Sequence, residues 1–198
     1  MLISVKHRTV YHYDRPFSHA IQSLRLRPPN STGQKTRSWT ILCPGIDSAV
    51  HYSDSFGNHV DLVTPPGETQ DLEILAEGVI ETHDQSGVVG FTHEAMQPAL
   101  FLRPTARTKE TEAMIRFAET CKKTARLDTL HALLGAIHQS VAYDTDATHA
   151  LTTAAEAFRA KRGVCQDHAH IFIAASRVLG IPARYVTGYL VVDDHKPA

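Results

Sequence analysis

No apolar run in this chain is long enough to cross a bilayer as a helix, so the sequence offers no transmembrane helix. The opening residues, "MLISVKHRTVYHYD", reach a charge at Lys6 and carry no cleavage-site pattern, so no secretory leader is expected. Charge of one sign is also lacking. The 20 Lys and Arg nearly balance the 21 Asp and Glu, leaving a formal net charge of -1. Basic residues are scattered, with only a mild cluster in "LRLRP". Such a chain has no electrostatic footprint for nucleic acid or an anionic membrane, and neither partner is expected. Cysteine is scarce. Cys43, Cys121 and Cys165 are odd in number and far apart, which argues against a disulfide framework. Reduced thiols and a cytoplasmic setting are the expectation. Repeats and low-complexity segments are absent as well.

What is present is an ordinary apolar fraction of 42% over 198 residues, enough for one large domain or two small ones with real cores. Histidine is frequent, at 13 residues. Most are isolated in sequence: His7, His12, His19, His51, His59, His83 and His93 read as surface or strand-face residues. No metal and no cofactor is expected.

Residues 1–90 read as β. "ISVKHRTVYHY" alternates with Ile3, Val5, Tyr11 and Tyr13 on one face. "AIQSLRLRP" alternates through Ala20, Gln22, Leu24 and Leu26, and "RSWTILCPG" through Trp39, Ile41 and Cys43. "DSAVHYSDSFGNHVDLVTPPG" reads as two strands around a turn at Asp54–Asn58, and "DLEILAEGVIETHD" as one more. Period-2 patterning broken by turn residues predicts an antiparallel β-sandwich.

Residues 91–198 read as a second domain. After a Pro-punctuated connector, Ala113, Met114, Phe117, Ala118 and Cys121 follow helical spacing, which puts Cys121 on a buried face. Leu130, Leu133, Leu134, Ile137 and Val141 repeat the pattern, with Asp128 as the expected N-cap. Thr153 and Glu156 have capping-box spacing, and Gly163 is the expected stop of that helix. The next helix should run from Cys165 to Leu179, apolar on most sides, and end at Gly180. "ARYVTGYLVV" then reads as a strand.

Cys165 is the candidate catalytic residue. A cysteine in the first turn of a helix meets free backbone N–H groups and the positive end of the helix dipole, and both favour the thiolate. The same N–H groups can face the oxyanion of an attacked carbonyl. A cysteine at a helix start also fits a structural role, and on these grounds alone the choice stays open. A metal site fits less well. His168 and His170 point about 200° apart on a helix. Cys165 with His168 gives two ligands where zinc takes at least three from protein.

The run "TTAAEAFRAKRGVCQDHAHIFIAASRVLGIPARYVTGYL" resembles the cysteine stretch of bacterial cysteine-protease-like proteins in the transglutaminase-like superfamily. The matching pattern is Gly-Val-Cys-Gln-Asp, an Ala-His pair, a helix, then Leu-Gly-Ile-Pro-Ala-Arg-Tyr-Val-x-Gly-Tyr. "HRTVYHYDRP", "SLRLRPPNSTGQ" and "YSDSFGNHV" resemble the N-terminal β-domain of the same proteins. The resemblance implies an α+β fold: an antiparallel sandwich, then the helical front part of a papain-like core. It also implies that Cys165 attacks an amide of a peptide or protein substrate and forms a thioester. A histidine would act as base and an aspartate would orient it.

Two departures stand out. Position 168 is His, where relatives often carry an aromatic residue. No His-Ala-Trp-like stretch follows the helix, and His195 falls in the loop that would precede one, so His195 is not taken as the base. The chain is therefore expected to be a front part cut before its triad is complete, with amide turnover impaired. Its last strand would then offer an unpaired edge to a second copy, as a homodimer. Competing readings are a binding module in which Cys165 is idle and a metal-dependent hydrolase using the histidines.

Overall fold

The computed structural model describes residues 1–17, 19–88, 96–189 and 191. The chain divides into two compact units, Met1–Met96 with Tyr189–Ala198, and Gln97–Gly188. The expected domain boundary, at 90/91, lies outside the described residues, as does His195.

The first unit holds β1 (Leu2–Phe17), β2 (Gln22–Leu24), β3 (Gln34–Leu42), β4 (Val50–Ser53), β5 (His59–Val63) and β6 (Thr69–Thr82). They form two antiparallel sheets, ordered β1-β6-β3 and β2-β5-β4. Ile41, Leu72, Ile74 and Ala76 from one sheet meet Leu24 and Val63 from the other in a single core. Each large aliphatic side chain buried there contributes about 1.5–3 kcal/mol. The alternation holds for Leu24 and Ile41, but Tyr11 and Tyr13 at the far end of β1 are exposed. Tyr11 still pairs in register with Leu72, but β1 shifts register between His12 and Phe17, so from Tyr13 on the sequence period no longer tracks one face. The β4–β5 turn is held by Asp54, whose carboxylate accepts from the backbone N–H of Phe56 and Asn58 at 3.0 and 2.9 Å. Arg25 Nε donates to the same carboxylate at 2.8 Å, and this bond leads in holding Asp54 well below the usual carboxylate range. Tyr189 belongs to this unit. Its hydroxyl lies 2.9 Å from His7 Nδ1, and its ring is 6.3 Å from that of Trp39.

The second unit holds α1 (Glu112–Thr120), α2 (Arg126–Ser140), β7 (Ala142–Tyr143), α3 (Ala154–Ala160), β8 (Arg162–Gly163) and α4 (Cys165–Val178), with β7 and β8 paired in parallel. The central element is α4. Ile171, Ala174 and Ala175 pack against Met114 and Ala118 of α1, Leu133 and Ile137 of α2, and Ala154 and Ala157 of α3. Cys121 is buried as expected, just past α1. Small residues on α4 and α3 allow close approach, and the larger Ile, Leu and Met side chains fill what remains.

Several local expectations are corrected. Ala113 and Leu134 are exposed, because Met114 and Leu133 already occupy the inward face of their turns. Asp128 is not the cap: α2 begins at Arg126 after Ala125, which puts Asp128 in the first turn, where its charge still complements the helix dipole. The Thr153–Glu156 box forms in full, with N–H of Thr153 donating to Glu156 at 2.9 Å and N–H of Glu156 to Thr153 Oγ1 at 3.3 Å. However, α3 ends at Lys161 in the left-handed region (φ 55°), not at Gly163. Gly180 does end α4. At φ 73° its N–H reaches Arg177 O and the N–H of Ile181 reaches Ser176 O, the paired bonds of a Schellman turn. The segment 181–189, expected to include a strand, contains none. Its backbone is engaged otherwise: Ala183 O accepts from Arg177 at 2.8 Å, and Ala183 N–H donates to Phe101 O at 3.4 Å.

Candidate active site

Cys165 is the first residue of α4 and is exposed. The N–H groups of Asp167 and His168 turn back to Val164 O at 2.9 and 3.1 Å. Those of Cys165 and Gln166 have no acceptor among the described residues. A thiol and two free N–H donors therefore share the first turn of a helix whose body is buried. That is the local chemistry an oxyanion hole needs.

The helix start is pinned from three sides. Asp167 is fully buried, and one of its oxygens accepts from Val164 N–H at 2.8 Å and from Thr148 Oγ1 at 2.6 Å. Thr148 lies in the loop between β7 and α3, so this carboxylate ties the loop to the turn that carries Cys165. Gly163 makes room for it: a Cβ there would sit 2.6 Å from the Asp167 carboxylate oxygen. His168 bridges back toward α2, with Nδ1 2.9 Å from Val164 O and Nε2 3.0 Å from Val141 O. A neutral imidazole can donate to one of these carbonyls, and only the imidazolium can donate to both. Its ring stacks on Tyr143 at 6.4 Å, so His168 packs beside the turn that carries Cys165 as an aromatic residue would. Gln166 Nε2 reaches Ala150 O at 3.4 Å, and Arg107 donates to the same carbonyl.

His170 is buried against Tyr185, with ring centroids 5.3 Å apart. Burial leads in pushing its pKa below the ordinary histidine value, opposed by the negative Asp167 and a hydrogen bond to the Thr152 backbone. It is a core histidine. Among the described residues no histidine is bonded to the Cys165 sulfur. A cavity of about 510 Å³ against α4 is lined by Leu134, His168, Phe172, Ile173, Tyr185 and Val186.

Sequence reasoning did not anticipate a cluster in the first unit, where His51 and His59 meet on the buried Asp61. The hairpin register was the available signal. His51 pairs directly with Asp61 across the ladder, and His59 lies two residues before it on the same strand.

An antiparallel sandwich followed by a helical unit with a cysteine opening its buried helix defines an α+β protein with a thiol-centred candidate site. Residues 3–81 match the family model of the bacterial transglutaminase-like N-terminal region, and residues 115–196 match that of the transglutaminase-like superfamily. The two matched segments together cover most of the chain, and both are transglutaminase-like. An uncharacterized protein of Mycobacterium leprae is 25% identical over 94% of this chain and 70% of its own length. An uncharacterized protein of Mycobacterium tuberculosis is 27% identical over 96% of this chain and 66% of its own. The chain thus spans about two thirds of the length of these relatives. A crystal structure titled as that of a "Putative Cysteine Protease" from Cytophaga hutchinsonii shares the fold, with a TM-score of 0.68 at 18% identity, covering 92% of this chain and 67% of that one.

Proposed function

We propose that Cys165 is the nucleophile of a transglutaminase-like cysteine hydrolase or acyltransferase that acts on amide bonds of peptides or proteins. The observation that carries this reading is an exposed thiol at the start of a buried helix, beside two N–H groups without acceptors. The thiolate sulfur attacks the amide carbonyl carbon, and the carbonyl electron pair moves to oxygen, facing the N–H groups of Cys165 and Gln166. Collapse breaks the C–N bond. The amine leaves with a proton, and the acyl group stays on sulfur as a thioester. Water or a second amine then takes the acyl group and restores the thiol. Asp167 holds the turn rigid but touches no reacting atom.

Proton transfer to the leaving amine needs an acid–base group, and general acid–base catalysis supplies about 10²–10⁴-fold. The superfamily places that histidine and its carboxylate on strands after this helix, so the proposal concerns the whole protein. A cysteine depends on its base less than a serine does, so acylation of Cys165 by reactive electrophiles does not wait on those strands.

Labelling by a peptide that carries an electrophilic vinyl sulfone tests the reading. The expected result is a single adduct on Cys165, formed at a rate that saturates with peptide concentration, with Cys43 and Cys121 unmodified. Labelling that rises linearly with concentration and spreads over all three thiols would contradict it.

A further inference from the structure

We infer that His51, His59 and Asp61 form a divalent transition-metal site, suited to zinc, within the β-sandwich unit. The three side chains come together through strand register. His51 on β4 stands directly opposite Asp61 on β5, and His59 precedes Asp61 by two residues on the same face of the ladder. Their ligand atoms all lie within 4.8 Å of one another. His51 Nδ1 is 2.7 Å from Asp61 Oδ1, and His59 Nε2 is 3.2 Å from the same oxygen. Two imidazole nitrogens and one carboxylate oxygen thus lie close enough together to share one ion. Two histidines and a carboxylate are a ligand set that zinc accepts, with a water in the fourth position.

The hydrogen bonding within the cluster is overcrowded when no cation is present. Asp61 Oδ1 faces His51, His59 and both the Nε and a terminal nitrogen of Arg27, the last two at 3.2 Å. A carboxylate oxygen has lone-pair room for about two strong donors. A cation at the centre of the three ligand atoms relieves the conflict. Asp61 Oδ1 turns to the metal, while Oδ2 keeps Arg27 Nε, now at 3.0 Å. Each neutral histidine need only shift its proton to its other nitrogen, so no proton is lost and no electron moves. Both rings are partly exposed, which lets the displaced N–H find water.

Asp61 itself is fully buried. Burial acts to raise its pKa, but the bonds from Arg27, His51 and His59 outweigh it and hold the carboxyl below its ordinary value. Arg27 Nε pairs with the Asp61 carboxylate at 3.0 Å. Arg27 leaves the bound site with a net charge like that of a three-histidine zinc site. The bound ion would clamp β4 to β5 in a hairpin whose outer strand, β4, is exposed along its whole length.

Titration of the full chain with zinc chloride and with cobalt(II) chloride, near pH 7.5, tests the site. The expected result is one ion per chain and a visible cobalt spectrum of tetrahedral intensity. At a hundredfold excess of zinc over its dissociation constant, the unfolding midpoint of the sandwich should rise by about 10–20 °C. His51→Gln and His59→Gln, both at partly exposed positions, should each weaken binding by at least tenfold while circular dichroism stays unchanged. His12→Gln, which removes another histidine–aspartate pair of the same unit, should leave binding intact. No stoichiometric binding tighter than about 100 µM would overturn the inference. Binding that survives both His51→Gln and His59→Gln would do so equally.

Discussion

Gly163→Ala separates two readings of one glycine by the sign of its effect. If Gly163 only lends the chain freedom, alanine narrows the unfolded ensemble and stabilises the protein by about 0.4–1 kcal/mol. The structure predicts the reverse. A Cβ at this position would lie 2.6, 2.7 and 2.9 Å from Oδ2, Cβ and Cγ of Asp167, well inside contact distance. Asp167 cannot step aside cheaply, because its buried carboxylate holds Val164 N–H and Thr148 Oγ1. Overpacking alone costs about 1–3 kcal/mol. Loosening a charge-assisted hydrogen bond adds about 1.5–3. The helix start can yield part of this by shifting, so a net loss of about 2–4 kcal/mol is expected. Urea unfolding followed by helical circular dichroism measures it. Asp167→Ala added to Gly163→Ala should not restore the loss, because the Cβ contact at 2.7 Å remains and the carboxylate's bonds to Val164 and Thr148 are gone. A Gly163→Ala variant as stable as the parent, or more so, would refute the steric argument.

Thr153→Ala removes the capping box of α3 and should cost about 1 kcal/mol in the same assay, with no loss meaning that the box contributes nothing in solution. His170 gives the second unit a pH dependence. Its folded-state pKa is depressed by burial, so the unfolded chain binds the proton more readily. Its contribution is whole above the unfolded value of about 6.5 and is lost as pH falls below it. His170→Asn should flatten the decline between pH 7 and 5, and an unchanged slope would reject this assignment. Finally, the homodimer proposed for the "ARYVTGYLVV" edge requires residues 183–192 to become a strand on pairing, since 183–189 form none within the chain; a concentration-dependent dimer in sedimentation equilibrium is expected, and a monomer at high concentration contradicts it.

The strands and helices were legible where the signal is local. Alternation marked β3 and β6, Thr153 with Glu156 marked the start of α3, and an apolar run opened by Cys165 and closed by Gly180 marked α4. Contacts between distant residues were not legible. Gly163 looked like a helix stop, yet Lys161 takes the left-handed position and Gly163 is small for the sake of Asp167. The 183–189 segment has strand composition, but hydrogen-bonded partners make a strand, and its carbonyl at Ala183 is taken by Arg177. His51 and His59 looked isolated because seven residues lie between them, and only the pairing around the Asp54–Asn58 turn brings both to Asp61. That register could have been counted from the turn.

The central claim is that Cys165 is the acyl-accepting thiol, and mass spectrometry after brief exposure to p-nitrophenyl acetate tests it most directly. The account predicts an acetyl thioester on the peptide that carries Cys165, released by hydroxylamine and missing from Cys165→Ala. Acylation of the Cys165→Ala variant to the same extent and at the same rate would contradict it.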